Sequence, residues 1–217
     1  MCIRDRSKYV KIIEDFESIL DEKIELASIE AITHEVEQSW FRLEDNMITW
    51  VIPMTRELSN EQITEFLQTM QTKTAQNENK YLSRNLQTYQ NDNYKRIRKN
   101  LRRFIGGMNK DQLDLIDIAS KEMIRVDGQW IDNRKALIEN LKVILKRGDG
   151  WELDLENITH RDDKVASNYR RTYSHNIAVN ERLFVEILNS RTEKQDKKLR
   201  SQLLRYKTDI KTLIAQN

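Results

Sequence analysis

Proline occurs once in these 217 residues, as Pro53, and glycine only five times, at Gly106, Gly107, Gly128, Gly148 and Gly150. So few turn formers exclude a β-protein with its many tight connections. Their confinement to one middle segment points to long helices on either side of a more articulated centre. Cysteine also occurs once, as Cys2, so neither a disulfide framework nor a cysteine-rich metal site can be built from this chain alone. No run approaches the ~18 consecutive apolar residues that a membrane-spanning helix needs. Phosphate loops are missing as well, because neither Gly106-Gly107 nor Gly148-x-Gly150 is followed by Gly-Lys-Ser/Thr. Finally, neither sign of charge is in excess: the net charge is +2, which argues against bulk electrostatic capture of polyanions.

The first residues, Met1-Cys2-Ile3-Arg4-Asp5, are what ATG TGT ATA AGA GAC encodes, and they resemble the end of a transposon-based sequencing adapter read in frame. The expectation is that residues 1–6 are foreign and that the native chain has been cut upstream. Cys2 then carries no chemistry of the protein, and a missing signal peptide is uninformative.

What the chain does contain is charge and helical periodicity: 33% of residues are charged and 38% hydrophobic. A first helix is expected over about Ser7–Lys23, with Tyr9, Phe16 and Ile19 or Leu20 on one face. Ile29, Ile32, Val36, Trp40, Leu43, Met47, Trp50 and Val51 keep helical spacing in the next. That spacing continues past Pro53, which predicts a kink and no stop. Ser59-Asn60-Glu61-Gln62 is a capping box, in which the cap and the residue three positions on satisfy each other's backbone N–H. From Gln71 to Asn93 the chain turns polar, leaving open whether 60–105 is one helix or two.

The clearest organisation lies in Asn93–Ile118. Tyr94, Ile97, Leu101 and Phe104 or Ile105 form an apolar stripe, and Lys95, Arg96, Arg98, Lys99, Arg102 and Arg103 cover the rest of that helix. Gly106-Gly107 ends it, and Asn109 with Gln112 forms a second capping box. Beyond this hairpin, Leu113, Ile116, Ala119 and Met123 mark one helix, and Trp130 to Leu145 another that stops at Gly148. A connection follows over Gly148–Asp163. Val165 to Leu188 and Leu199 to Ile214 give the last two helices.

Few residues carry chemistry. His34 has Glu30 and Glu37 one turn away on a helix, but zinc wants three or four convergent ligands. His160 lies in a loop and His175 on a helix, and none of the three stands beside a nucleophile or a paired acid. No catalytic, metal or cofactor residue is therefore expected. Trp40, Trp50, Trp130 and Trp151 read as core or interface anchors. The basic run Lys95–Arg103 is the one candidate site, a surface for nucleic acid, an acidic protein or an anionic membrane. Against this stands a solvated helix face, neutralised by packing near the acidic stretch Glu35–Asp45. The basic tail Arg191–Lys211 has the same alternatives.

With these elements in place the chain resembles a family of uncharacterised Gram-negative, mainly gammaproteobacterial, lipoproteins known only as a domain of unknown function. The resemblance covers about Ser28 to Leu213. It rests on Ser59–Ile63, on Arg103-Phe104-Ile105-Gly106 with Asn109–Ile116, and on Trp130-x-x-x-Arg134. Asn180-x-x-Leu183-Phe184 and the Leu199–Leu213 helix with Tyr206 and Asp209 complete it. It implies a lipid anchor on a cysteine upstream of this chain, a periplasmic location, and no known active site.

The expectation is therefore an all-α protein, one domain over 7–217 of seven to eight mostly antiparallel helices joined by short turns. Its expected role is that of a non-enzymatic, lipid-anchored periplasmic protein without cofactors, offering helical surfaces to another envelope protein or to the membrane surface. The alternative is a cytoplasmic nucleic-acid-binding helical protein using the helix 95–103.

Overall fold

The apolar spacing along the chain is realised as helix almost throughout the computed structural model, which describes residues 6–159 and 167–216. Among the described residues nine α-helices follow one another without a strand: α1 (Arg6–Ser18), α2 (Leu26–Glu57), α3 (Asn60–Leu82), α4 (Leu86–Ile105), α5 (Lys110–Glu122), α6 (Asp127–Ile144), α7 (Trp151–Thr159), α8 (Ser167–Asn189) and α9 (Glu193–Ala215). Met1–Asp5 and His160, both singled out above, lie outside the described residues.

The all-α expectation holds, and the count exceeds seven to eight for two local reasons. First, 60–105 is two helices. Asn85 opens the second, its Oδ1 accepting from Thr88 N at 2.8 Å, and a cap of this kind competes with continuation of the preceding helix. Second, the expected connection after Gly148 contains α7, because Trp151, Leu155 and Ile158 recur at helical spacing and find a core to enter. The left-handed residue after α6 is Arg147, with φ 57°, and not Gly148. As expected, α2 runs on through Pro53.

Three helices, α3, α5 and α9, open with a capping box in which both reciprocal hydrogen bonds form. Two were read from the sequence. The third, Thr192 with Gln195, was not, although its pattern is the same.

The helices group into two compact units. One is built from the chain up to Leu43, Gln90–Met123 and the chain from His175 on; the other from Glu44–Tyr89 and Ile124–Ser174.

In the first unit, Ile97, Leu101 and Ile105 of α4, Ile116 and Met123 of α5, Val179, Leu183 and Ile187 of α8, and Leu199 and Leu203 of α9 form the core with Leu20, Ile24 and Ile29. The acidic side of α1 runs antiparallel to the basic side of α9. Lys211 meets Glu14 at 3.3 Å and Lys207 meets Glu17, and Arg200 meets Asp21, in the short turn of helix after α1, at 2.8 Å. The expected packing of unlike faces is thus realised for the basic tail 191–211. Asn189 fixes the α1–α2 connection, its side chain bonding both Ile24 N and Ile24 O at 2.9 Å.

Asp196, in the first turn of α9, pairs with Arg191 at 2.7 Å and with Arg200 at 2.8 Å. Burial by itself would raise its pKa, but the two guanidinium groups outweigh that and hold it below the ordinary value of 3.8. A carboxyl depressed in the folded state stabilises above its unfolded pKa, and the contribution is lost as pH falls through the folded one. Asp196→Asn should therefore lower the melting temperature at neutral pH and flatten its decline in acid. Melting curves of both proteins at falling pH check this: their difference should narrow as pH drops through the depressed folded-state pKa of Asp196.

In the second unit, Ile48 of α2, Ile63 and Met70 of α3, Ile138, Leu141 and Leu145 of the α6 region and Leu155 of α7 form the core. Arg147 closes the C-terminal end of α2. It donates to Leu58 O at 2.8 Å, to Thr55 O and Arg56 O at 3.4 and 3.3 Å, and to Asn60 Oδ1 at 2.6 Å. A cation at the negative end of a helix satisfies carbonyls that have no partner within it.

Candidate anion-binding surface

α4 separates its residues cleanly into two faces. Ile97, Leu101 and Ile105 are buried, and Tyr94 and Phe104 are half-buried against the same core. At about 100° per residue, Lys95, Arg96, Arg98, Lys99, Arg102 and Arg103 share an arc of about 160° on the other side. All six are exposed. The structure thus brings the six predicted residues together on one surface.

Their expected neutralisation by Glu35–Asp45 is not found. Among the described residues none of the six pairs with a carboxylate, and only Arg96 has a side-chain partner, Asn93 Oδ1 at 2.9 Å. The physical reason is orientation: α4 turns its apolar stripe to the core, so its cations point to solvent, away from the packed side. α9 differs in that its Lys and Arg residues flank a seam shared with α1.

A seventh cation joins the surface from α9. Lys198 Nζ approaches Arg102 O at 3.4 Å, and its chain lies over Gly106, 3.2 Å from where a Cβ would stand. Gly106 has φ +87°, a conformation that side chains resist, so the residue is required both by its backbone and by the lysine above it. Lys198 also complements the negative end of α4.

A positive face of this kind can attract an anionic surface over about one Debye length, roughly 8–10 Å in physiological salt. Tyr94 and Phe104, the aromatic residues of α4 nearest these cations, are turned to the core and offer no ring for stacking a base.

The other candidates are dispersed. His34 is exposed on α2, and among the described residues no group of three or more His, Cys, Asp or Glu could hold a metal ion. His175 Nε2 lies 3.2 Å from Glu122 O, at the end of α5. The tryptophans divide between core and surface. Trp151 packs against the core of the second unit, whereas Trp40 and Trp50 are 58% and 65% exposed. With Val36, Met47 and Met54 they form an exposed apolar stripe of α2.

Comparison with known proteins places the chain. A family model described as a family of unknown function (DUF6279) matches residues 6–171. The chain belongs to that family. The DUF6279 segment includes α1 to α7 and with them the whole basic face of α4. It ends within α8, so Asn180, Leu183, Phe184 and the last helix, which the sequence resemblance had included, fall outside the matched residues. No curated protein and no solved structure matches the chain.

Proposed function

We propose that this chain is a non-enzymatic, lipid-anchored periplasmic protein that sets the basic face of α4 against an anionic surface of the cell envelope. The observation that carries this reading is the set of six exposed cations on one face, none of them paired with a carboxylate among the described residues. The resemblance of its sequence to envelope lipoproteins is what supports the location. No helix among the described residues is long and apolar enough to cross a membrane; the attachment in this proposal is the acyl chain that the resemblance implies. One acyl chain holds a protein only marginally, and a polybasic patch is the usual second signal. Because the apolar stripe of α4 is committed to the core, this contact is electrostatic adhesion without insertion.

Glutamine at Arg98, Arg102 and Arg103 should weaken binding to vesicles containing phosphatidylglycerol about a hundredfold, at about 1 kcal/mol for each charge near the surface. Vesicles of phosphatidylcholine should bind neither protein. Duplex DNA bound more tightly than the vesicles, with a salt slope near −5 for six neutralised phosphates, would favour the nucleic-acid reading. Native-length protein that remained in the soluble fraction and took up no lipid label would exclude the anchor.

A further inference from the structure

Beside the basic face, the first unit holds a half-open cleft of about 320 Å³ where α2, α4 and α8 meet. Its floor is apolar and includes Ile177 and Phe184, the latter 42% exposed. Its polar groups are Arg96 and Asn100 from α4 and Asn180 and Glu181 from α8.

Glu181 is the anomaly. It is only 8% exposed, yet among the described residues no hydrogen bond or ion pair reaches its carboxylate. Its neighbours along α8 are engaged elsewhere, Asn180 donating to Asn176 O at 2.9 Å and Arg182 pairing with Glu122. Most of Glu181 is covered, and a carboxylate without a partner at the wall of a half-open cleft is a ready acceptor for a cation or donor. Arg96 lines the same cleft and does not approach within ion-pair distance. Its guanidinium is held by Asn93, which is 3% exposed and whose amide nitrogen has no partner of its own. The cleft therefore presents one negative and one positive group, separated, over an apolar floor, with two side-chain amides beside them.

We propose that this cleft binds a small zwitterionic amine with an apolar body, an amino acid or a molecule of that class. The ammonium meets Glu181, the carboxylate meets Arg96, and the apolar side chain lies along Ile177 and Phe184. The volume, at the lower end of the 300–1,000 Å³ usual for ligand sites, suits a ligand of that size. This reading shares Arg96 with the envelope proposal but is tested with different variants and probes, so either can fail alone.

The full chain would be titrated calorimetrically with three probes: L-phenylalanine, phenethylamine, which lacks the carboxylate, and 3-phenylpropionate, which lacks the amine. L-phenylalanine should bind best, phenethylamine more weakly, and 3-phenylpropionate not measurably. Glu181→Gln should weaken both amines at least tenfold, and Arg96→Gln should reduce L-phenylalanine to the level of phenethylamine. Without ligand, Glu181→Gln should leave the melting temperature within about 2 °C, as a substitution at a group in contact with solvent does in a chain of this length. No binding of either amine by the folded protein would overturn the proposal. So would 3-phenylpropionate binding as well as L-phenylalanine, or unchanged affinity in Glu181→Gln. A larger fall in the melting temperature of that variant would make Glu181 a structural group and overturn it equally.

Discussion

Alanine at Asp127 should destabilise the unit of α3, α6 and α7 by about 3–5 kcal/mol, the usual loss when one member of a buried ion cluster is removed. Asp127 is the first residue of α6, and its carboxylate receives Arg84 at 2.7 Å and Arg125 at 2.9 Å. Arg84 lies over the rings of Tyr81 and Tyr89, 4.9 and 5.1 Å from their centroids. Arg125 also donates to Tyr81 O at 2.7 Å, and Tyr89 donates its hydroxyl to Ile124 O at 2.9 Å. The cluster thus ties the break between α3 and α4 to the start of α6. Removing the carboxylate leaves two guanidinium groups facing each other with little water between them. Asp127→Asn keeps the acceptor geometry and should lose less. Urea unfolding followed by tryptophan fluorescence measures both, since Trp50, Trp130 and Trp151 all belong to this unit. A loss below about 1 kcal/mol for the alanine variant would mean that the cluster behaves as a solvated surface pair.

The second large effect lies where two capping boxes meet. Gln112 and Gln195 are the third residues of α5 and α9 and are 0% and 5% exposed. Each accepts from its own cap's backbone N–H, Asn109 at 3.2 Å and Thr192 at 2.9 Å. Each also donates to the other, at 3.1 and 2.8 Å, and onward to Ser190 O and Gly107 O at 3.2 and 2.6 Å. The two helix starts are thereby closed into one fully satisfied network, and such networks lose most when partly broken. Gln112→Ala should cost about 2–4 kcal/mol, because it leaves the buried Gln195 amide without its partner and removes the bonds to Asn109 N and Ser190 O at once. The Gln112→Ala, Gln195→Ala double variant should lose about 1–2 kcal/mol less than the sum of the singles, since the second removal has less left to strand. Gln112→Glu should be at least as damaging at neutral pH, for it keeps the acceptor, loses the donor and buries a charge beside Gln195. At Gln62, exposed at the start of α3, the same change should be tolerated, because a carboxylate serves an isolated capping box and favours the helix's positive end. Equal effects of glutamate at the two positions would show that the contact between the helices adds nothing to the caps.

This pair marks the boundary between local and tertiary information. Ser59 with Gln62, Asn109 with Gln112 and Thr192 with Gln195 are one spacing, readable without a structure, and it was read in two of three cases. That two of these boxes lock together, while the third faces water, could not be read from any of them. The α2 stripe fails for a related reason. Val36, Trp40, Met47, Trp50 and Met54 have the period of a buried face, but period reports only that apolar residues share a side, and not whether a neighbour covers it. Glu181 carried no sequence signal at all: one carboxylate among many on a charged helix, distinguished only by what packs around it.

The amino-acid sequence by itself determined the all-α class, the helix starts marked by caps, the stop at Gly106 and the grouping of six cations on one side of α4. All of these depend on residues within about one or two helical turns of each other, so backbone geometry alone expresses them. Only the tertiary structure decided that the basic tail meets the acids of α1 and of the turn after it, while the cations of α4 meet no carboxylate among the described residues. It likewise decided that Arg96 and Glu181 share a cleft without touching and that Gln112 must be glutamine. Those outcomes depend on which helix faces lie opposite each other, across separations of 80 residues or more, and spacing along a chain carries no such information.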